Sequence, residues 1–442
     1  MWQPAAVGSA AMKRTHFFKS LGALAALLIA LPAAVIGWQW LGPEERGAAT
    51  PAPDPTRQLA QGQYLARAGN CMACHTARGG APYAGGRAIA SPFGTLYTSN
   101  ITPDKTTGIG QWSADDFWRA LHHGRGKEGQ FLYPAFPYTS YTRLSRADSD
   151  ALFAYLQSLP PVARANQAHA LRFPYDQRML LGLWRALYFT PQSYQPDPRQ
   201  DAQWNRGAYL VQGAGHCSAC HSARNRLGAS IEPLALAGGV IPALQWYAPP
   251  LHGGADGLQD WSTADIAALL KTGVSPHAVT LGPMSEIVGR SLQYLNDADV
   301  SAMAVYLKSL PASAADDKAR PASVEPAEAE RIMKQGKQLY GTLCVDCHGG
   351  KGQGSAPDYP PLAGNRAIAG PHPANAVRAV LNGGFPPSTA GNPYPFGMPP
   401  FGPQLSDQEV AAVVSYVRNS WGNQGGLVSA AEVNRYRSVP LD

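Results

Sequence analysis

The sequence predicts an all-α protein in which one kind of domain occurs three times in tandem. The main observation is a five-residue motif, C-x-x-C-H, that occurs three times and uses all six cysteines of the 442-residue chain. A second observation is that similar helical patterns surround each copy, and no stretch has the sustained alternation of a long β-strand. An N-terminal membrane anchor or signal helix precedes the three domains in this prediction.

The three motifs have the spacing of covalent c-type haem attachment. Residues i, i+3 and i+4 lie on one face of a helical turn, so two thiols can bond the vinyl groups of a haem while the imidazole ligates the iron. The sequence therefore predicts three covalently bound haems c (iron), each in a class I cytochrome c domain. The thioether sites are Cys71, Cys74, Cys217, Cys220, Cys344 and Cys347, and the proximal ligands are His75, His221 and His348.

Other uses of the cysteines fit the spacing less well. A structural zinc site needs four ligands, usually two pairs, but here each pair lies more than 100 residues from the next. A redox-active C-x-x-C would lie within a βαβ pattern, and none surrounds these motifs. Disulfides would account for an even number of cysteines, but not for the histidine that follows every pair.

Composition excludes several classes of function. The net charge is +6, without a dense basic run, so nothing predicts a nucleic-acid partner. The chain has no G-x-S-x-G motif, no dinucleotide-binding glycine pattern after a strand and no cysteine outside the three motifs. We therefore predict no catalytic residues.

The N-terminus has the pattern of an export segment. Three basic residues between positions 13 and 19 precede an uncharged stretch over 21–42, which is close to the length that a membrane helix needs. Trp38 and Trp40 near its end are typical of a membrane interface. These features favour an anchor in the cytoplasmic membrane, with the haem domains facing the periplasm, over a cleavable signal peptide.

The repeat pattern defines the predicted domains. Each copy opens with a helix that carries a glycine, which lets the closing helix cross it closely, and each closing helix begins with a good N-cap. The glycines are Gly62, Gly207 and Gly336, and the caps are Ser145, Asn296 and Ser406. The predicted segments are a cytoplasmic tip with the anchor or signal (1–50), domain 1 (55–165), an apolar connector (166–200), domain 2 (201–312), a linker (313–328), domain 3 (329–425) and a tail (426–442). The connector either fills the seam between two domains or docks on a membrane or partner.

The sixth iron ligand distinguishes the first domain from the other two. Domain 2 offers Met284 and domain 3 offers Met398, each on a loop between the haem motif and the closing helix, as expected for a distal ligand. Domain 1 has Phe136 in the corresponding place, and phenylalanine cannot bind iron. Three alternatives remain for the first haem: His122 or His123 is the ligand, another group is, or the iron is five-coordinate.

From Gly62 to Gly422 the chain resembles the membrane-bound three-haem cytochrome c subunit of bacterial periplasmic dehydrogenases that oxidise alcohols, aldehydes, sugar acids or N-heterocycles. The stretches that carry the resemblance are 94–104, 132–141, 204–211 and 246–249. The resemblance implies a large catalytic partner subunit of quinoprotein, flavin or molybdenum type, with a small iron–sulfur subunit as a further partner. It also implies electron delivery to ubiquinone or a terminal oxidase. Many alcohol dehydrogenase members have methionine in place of Phe136, so this chain looks more like members paired with molybdenum-type aldehyde or heterocycle dehydrogenases.

Two further hypotheses belong to other functional classes. In one, the chain is itself a haem enzyme that acts on a small oxidant at an open first haem. In the other it is a soluble electron shuttle with no catalytic partner, which the predicted anchor disfavours. The leading prediction is an electron-transfer subunit that is not catalytic alone.

Overall fold

The computed structural model describes residues 26, 28, 30–42, 47, 54–231, 234–254, 256–313 and 324–439. Helix α1 spans residues 30–41. The first domain and the connector contain α2 (Pro55–Ala68), α3 (Cys71–Cys74), α4 (Ala114–His123), α5 (Tyr138–Tyr141), α6 (Arg146–Gln157) and α7 (Leu181–Tyr188). The second domain contains α8 (Ala202–Gln212), α9 (Ser218–His221), α10 (Thr263–Thr272), α11 (Pro283–Arg290) and α12 (Asp297–Ser309). The third contains α13 (Pro326–Leu343), α14 (Val345–His348), α15 (Arg366–Ala369), α16 (Ala374–Asn382), α17 (Asp407–Arg418) and α18 (Ala430–Arg437). Short 3-10 turns lie at Arg178–Leu180 and Leu292–Tyr294.

The prediction of an all-α fold is wrong, because two small antiparallel sheets accompany the helices. In domain 1, β1 (Ala88–Ser91), β2 (Gly94–Tyr97) and β3 (Ala170–Leu171) form one sheet in that order, with Ala88 opposite Tyr97. In domain 2, β4 (Gly239–Ile241) pairs with β5 (Trp246–Ala248). Each strand has only two to four residues, which is too short for a period-2 pattern to be visible in the sequence.

The prediction of an N-terminal membrane anchor or signal helix is also wrong. Among the residues described, no helix is both long enough and apolar enough to cross a membrane. One side of helix α1 contacts domain 1, where Trp40 lies edge-on to Phe131 at 5.0 Å and Arg125 donates to the Trp40 carbonyl at 3.1 Å, while Leu31 and Leu41 are exposed. The continuous described part of this helix, residues 30–41, is shorter than the roughly 20 residues that a membrane span needs. The basic residues Lys13, Arg14 and Lys19, residues 21–25 and most of the linker at 313–328 lie outside the described residues.

The apolar connector packs with one face and exposes the other. Gly182 on α7 lies against Ile36 of α1 and Phe131, and Trp184 donates to the Leu227 carbonyl of domain 2 at 3.0 Å. Leu187 on the opposite face is 69% exposed. The connector therefore fills a seam between domains 1 and 2, while its outer face stays free of other described residues.

Each domain is built on a close crossing of its first and last helices. The predicted glycines permit this approach, because a Cβ at Gly62, Gly207 or Gly336 would overlap a backbone carbonyl of the closing helix. The predicted N-caps are confirmed: the side chains of Ser145, Asn296 and Ser406 accept hydrogen bonds from the backbone N–H three residues later. A pair of crossed helices thus frames every motif turn.

Domains 1 and 2 share one hydrophobic core, whereas domain 3 has its own. The shared core runs continuously from Leu65 to Leu307, and the second core lies between Tyr340 and Val433. Val433 on α18 is fully buried, so the C-terminal segment belongs to the packing of domain 3. The protein is therefore built as a two-domain unit with a third domain attached.

The contacts between domains 1 and 2 are reciprocal. Tyr64 on α2 donates to Asp299 at 2.5 Å and accepts from the backbone N–H of Asn296, at the start of the closing helix of domain 2. Tyr209 on α8 makes the equivalent bonds to Asp148 and to the N–H of Ser145, in domain 1. Matching residues that contact each other's partners are the sign of an approximate twofold relation between two similar units.

Candidate functional site

The three motifs form the same turn. The backbone N–H of each motif histidine donates to the carbonyl of the first cysteine, at 2.9 Å for His75, 3.0 Å for His221 and 2.9 Å for His348. This i to i+4 bond closes one helical turn and brings the two thiols and the imidazole together. None of the six cysteines is joined to another in a disulfide.

Each motif imidazole is held by a backbone carbonyl. His75 Nδ1 lies 2.7 Å from the Ser99 oxygen, and His221 Nδ1 lies 2.7 Å from the Pro249 oxygen. His348 Nδ1 lies 3.1 Å from the Pro360 oxygen. Because Nδ1 must donate to a carbonyl, the proton resides there and the Nε2 lone pair remains available for a metal.

Burial also sets the protonation of these groups. It lowers the pKa of His75, His221 and His348, which keeps the three imidazoles neutral. Burial raises the pKa of the Cys71 thiol to about 12, so this cysteine is a thiol and not a thiolate. Within the described part of the chain, no three His, Cys, Asp or Glu side chains cluster as a metal site of their own would require. The donor set therefore suits a haem better than a zinc ion.

A cavity of about 2770 Å³ opens beside the first motif. Cys71, Cys74 and His75 line it, as do apolar side chains such as Leu121 and Phe136. Its volume exceeds the roughly 300–1,000 Å³ of ordinary ligand pockets. A large apolar space with two thiols and a neutral imidazole on its wall fits a covalently held haem, which these residues would attach through sulfur and ligate through Nε2.

The same cavity reaches the second motif. Cys220 of domain 2 lines it together with Cys74, and the Cys220 thiol is close enough to influence the pKa of Cys74, although burial is the main cause of its rise. The first motif and Cys220 of the second motif therefore face a common space between the domains.

Each predicted methionine lies after a helix that ends at a glycine with positive φ. In domain 2, α10 ends at Gly273 in the left-handed conformation, and Met284 follows in the first turn of α11. In domain 3, α16 ends at Gly383, and Met398 exchanges two backbone hydrogen bonds with Gly384, at 2.8 and 3.0 Å. Both methionines are half-buried. Their role as distal ligands stays a prediction.

The structure does not bring His122 or His123 to the cavity of domain 1. Both are buried on another side of α4, where the His122 ring stacks on Trp118 at 4.3 Å. Burial lowers the pKa of His122 to about 4. Phe136 does line the cavity, after α4 has ended at Gly124 in the left-handed conformation. Phe136 thus follows the left-handed end of α4, as Met284 follows that of α10, but carries a phenyl ring.

Arg87 links the first motif to the loop of the second. Its guanidinium donates to the Ala73 carbonyl, between the two motif cysteines, at 2.8 Å. It also forms a two-pronged ion pair with Glu286 of α11, at 2.8 and 3.0 Å. Glu286 lies two residues after Met284. Neither residue stands out in the sequence, because an isolated Arg and an isolated Glu carry no motif.

Domain 3 docks on the same region of domain 2. The Asn375 amide exchanges two buried hydrogen bonds with the Tyr247 backbone, at 2.9 and 2.8 Å. Ser285 of α11 donates to the Phe385 carbonyl at 3.1 Å, on the loop that leads to Met398. Helix α11 therefore contacts both the first domain, through Arg87, and the third.

A helical fold around C-x-x-C-H turns with carbonyl-bound histidines defines a c-type cytochrome. In agreement, the family model for cytochrome c matches residues 59–160 and 333–421. The chain is 40% identical to the cytochrome c subunit of a quinone alcohol dehydrogenase from Gluconacetobacter polyoxogenes, over 88% of this chain and 86% of that protein.

Two further relatives are subunits of other dehydrogenases. The gluconate 2-dehydrogenase cytochrome c subunit of Pantoea cypripedii is 41% identical, over 85% of this chain and 89% of that protein. A nicotinate dehydrogenase subunit of Pseudomonas putida is also 41% identical, over 85% of this chain but 32% of its own length. The chain belongs to the family of cytochrome c subunits of dehydrogenases. Members of this family carry covalent haem and transfer electrons, and they are not catalytic alone.

Proposed function

We propose that this chain carries three covalent haems c and relays electrons from the catalytic subunit of a dehydrogenase to ubiquinone or the respiratory chain. The observation that carries the proposal is the threefold recurrence of one geometry. Each motif turn presents two thiols and a neutral histidine whose Nδ1 is bonded to a carbonyl. A protein can tune and position a haem in this way without performing chemistry of its own.

The contacts between domains support transfer in series. Cys220 of the second motif lines the same cavity as the first motif, and Arg87 links the first motif to α11. Helix α11 in turn contacts the loop of Met398 through Ser285 and Phe385. Electrons would therefore pass between the first and third haems by way of the second, with Met284 and Met398 as distal ligands.

The partner is a large catalytic subunit of quinoprotein, flavin or molybdenum type, with a small iron–sulfur subunit where the partner is of the molybdenum type. Phe136 favours that last type, acting on an aldehyde or an N-heterocycle, since alcohol dehydrogenase members tend to have methionine there. One relative is named for nicotinate, which is an N-heterocycle. The haem domains would work on the periplasmic side of the cytoplasmic membrane.

The haem number is tested by an alkaline pyridine haemochrome assay on the purified chain. We expect three haems per chain, and two in each of three variants that replace one cysteine pair by alanine. The pairs are Cys71 with Cys74, Cys217 with Cys220, and Cys344 with Cys347. The three variants serve as controls for one another, and a variant that keeps the wild-type haem content would refute attachment at that motif.

The electron-transfer role is tested on the complex purified in mild detergent from native membranes. We expect a large subunit to co-purify, its substrate to reduce the haems, and a ubiquinone analogue to reoxidise them. If no such subunit co-purifies and no dehydrogenase substrate reduces the haems, the proposal is wrong.

A further inference from the structure

We propose that the haem attached at Cys71 and Cys74 has no protein ligand on its distal side and binds small neutral diatomic molecules there. The inference rests on the proposed haem at this motif and goes beyond the electron-transfer role. It starts from Phe136, which lines the cavity on the loop where the other two domains place a methionine. A phenyl ring has no lone pair for iron, so another residue would have to supply the ligand.

Among the residues that the structure describes, no methionine lines the cavity. Between Met72, inside the motif, and Met179 the sequence contains no methionine. Met179 is 60% exposed on the connector and does not line the cavity. Domain 1 therefore has no counterpart of Met284.

The imidazoles of domain 1 are committed elsewhere. His122 and His123 lie on another side of α4 and do not line the cavity. His169 does line it, but its Nδ1 accepts the backbone N–H of Tyr97 at 3.2 Å. The proton of neutral His169 is therefore on Nε2, and burial lowers the pKa of this imidazole. Neither ring nitrogen of His169 then has a lone pair to offer.

His216 of domain 2 is the strongest rival ligand. It lines the cavity, and its Nδ1 lies 2.9 Å from the Ala214 carbonyl, which leaves Nε2 with a lone pair. The ring of Tyr141 contacts both His216 and Phe136. Its centroid is 5.4 Å from that of Phe136 and 5.5 Å from that of His216. His216 is therefore the ligand that the experiment must exclude.

Phe136 packs against the shared apolar core and against the ring of Tyr141 at 5.4 Å. Phe117, Leu121 and Pro137 line the same cavity, and the Tyr141 hydroxyl donates to the Gly69 carbonyl at 3.2 Å. A charged ligand would lose hydration beside these apolar groups. A neutral diatomic molecule such as carbon monoxide has no such penalty, and for this reason the pocket selects that chemical class.

The test is carbon monoxide binding to the dithionite-reduced holoprotein, which is measured by the Soret difference spectrum. We expect one molecule to bind per chain, and the sulfur-to-iron charge-transfer band of the oxidised protein to correspond to two methionine-ligated haems. In Phe136→Met, carbon monoxide binding should be lost and the band should rise from two haems to three. Phe153→Met is the matched control, because Phe153 packs against Phe117 at 5.4 Å but does not line the cavity. This control should behave as wild type.

Two outcomes would overturn the inference. The first is no carbon monoxide binding in the wild type. The second is binding that appears only in His216→Gln, which would make His216 the ligand. The haemochrome assay on the same samples separates these results from failure of the proposed function. A chain that holds three haems but binds no carbon monoxide disproves the open site alone, whereas a haem lost at the first motif disproves the proposed function there.

Discussion

His122 has the residue type of an iron ligand but serves as a packing residue. Its ring is 1% exposed, stacks on Trp118 and lies 3.5 Å from the Thr142 hydroxyl. Burial without a charged partner favours the neutral imidazole, which is why its pKa is lowered to about 4. This side chain should therefore make the stability of domain 1 depend on pH.

The sign of that dependence follows from proton linkage. Between about pH 6.5, where an unfolded histidine titrates, and pH 4, the unfolded state binds more protons than the folded state. The unfolding free energy should thus fall as the pH drops through this window. The total decrease should not exceed about 3 kcal/mol. In His122→Gln this contribution should be absent, while the haem spectrum stays unchanged.

Denaturant unfolding of both proteins at pH 7.5, 6 and 5 measures the difference. The slope with pH is compared rather than the absolute stability, since the substitution itself alters packing. Equal pH slopes in wild type and His122→Gln would show that His122 is not buried in neutral form. A haem spectrum altered by His122→Gln would make His122 a candidate ligand again.

At the residue scale, the sequence predicts the groups that carry chemistry but not those that orient them. Cys71, Cys74 and His75 are found by their spacing alone. The acceptor of the His75 Nδ1 proton is the carbonyl of Ser99, and every residue type has a carbonyl. Such partners depend on the path of the backbone, so only the structure reveals them.

At the scale of elements, the crossing of first and last helices is the feature that each domain depends on most directly. In domain 3, a Cβ at Gly336 on α13 would overlap the Ala412 carbonyl on α17. Five residues along the same helix, a Cβ at Gly341 would meet nothing within 4 Å. One helix thus offers a tightly packed glycine and an unpacked one.

Gly336→Ala and Gly341→Ala should therefore change stability in opposite directions. Gly336→Ala forces the helices apart, and we expect a loss of about 2 kcal/mol or more in unfolding free energy. Gly341→Ala relieves the entropic penalty of glycine in a helix and should gain about 0.5–1 kcal/mol. Thermal unfolding of the holoproteins, followed by circular dichroism, measures both. A similar loss in both variants would mean that helix crossing is not the cause.

The sequence predicts well those elements that are determined by residues close together in the chain. Ser406 and Glu409 form a complete capping box within four residues, and this pattern is visible in the chain. The strands escape prediction because they are short and are held by pairing with distant residues, as Thr95 is with Ala170. The prediction for helix α1 is wrong because an apolar composition does not determine the length of a helix, and no helix among the described residues is long and apolar enough to cross a membrane.

At the scale of the whole molecule, the two cores divide the chain unequally. Domains 1 and 2 share one continuous set of buried side chains, whereas domain 3 buries its own. The natural folding unit should be the domain pair.

A fragment of residues 54–313 should therefore fold and bind two haems, and a fragment of residues 324–439 should fold and bind one. Residues 54–165 alone should not, because Leu144 of the shared core lies beside Gly213 and would lose its cover from domain 2. Haem content and the cooperativity of thermal unfolding, after expression with haem attachment, measure this. A stably folded domain 1 with its haem would contradict the shared core.

The bonds that join the domain pair have no sequence signature. Tyr64 and Asp299 lie 235 residues apart, and nothing in either neighbourhood indicates the other. Sequence analysis predicts three similar domains because the motif repeats, but their arrangement depends on such long-range contacts.

The reciprocal tyrosine contacts have a consequence for the direction of electron flow. In a dimer of identical chains, two halves related by a twofold axis would have to hold haems of equal potential. Here one polypeptide supplies both halves, so the two halves can differ in sequence. Phe136 lies in one half and Met284 in the other, while Tyr64 and Tyr209 make matching contacts across the interface. Methionine ligation raises the potential of a haem. The proposed second haem would then draw electrons from the first, so that a symmetric interface joins a donor to an acceptor.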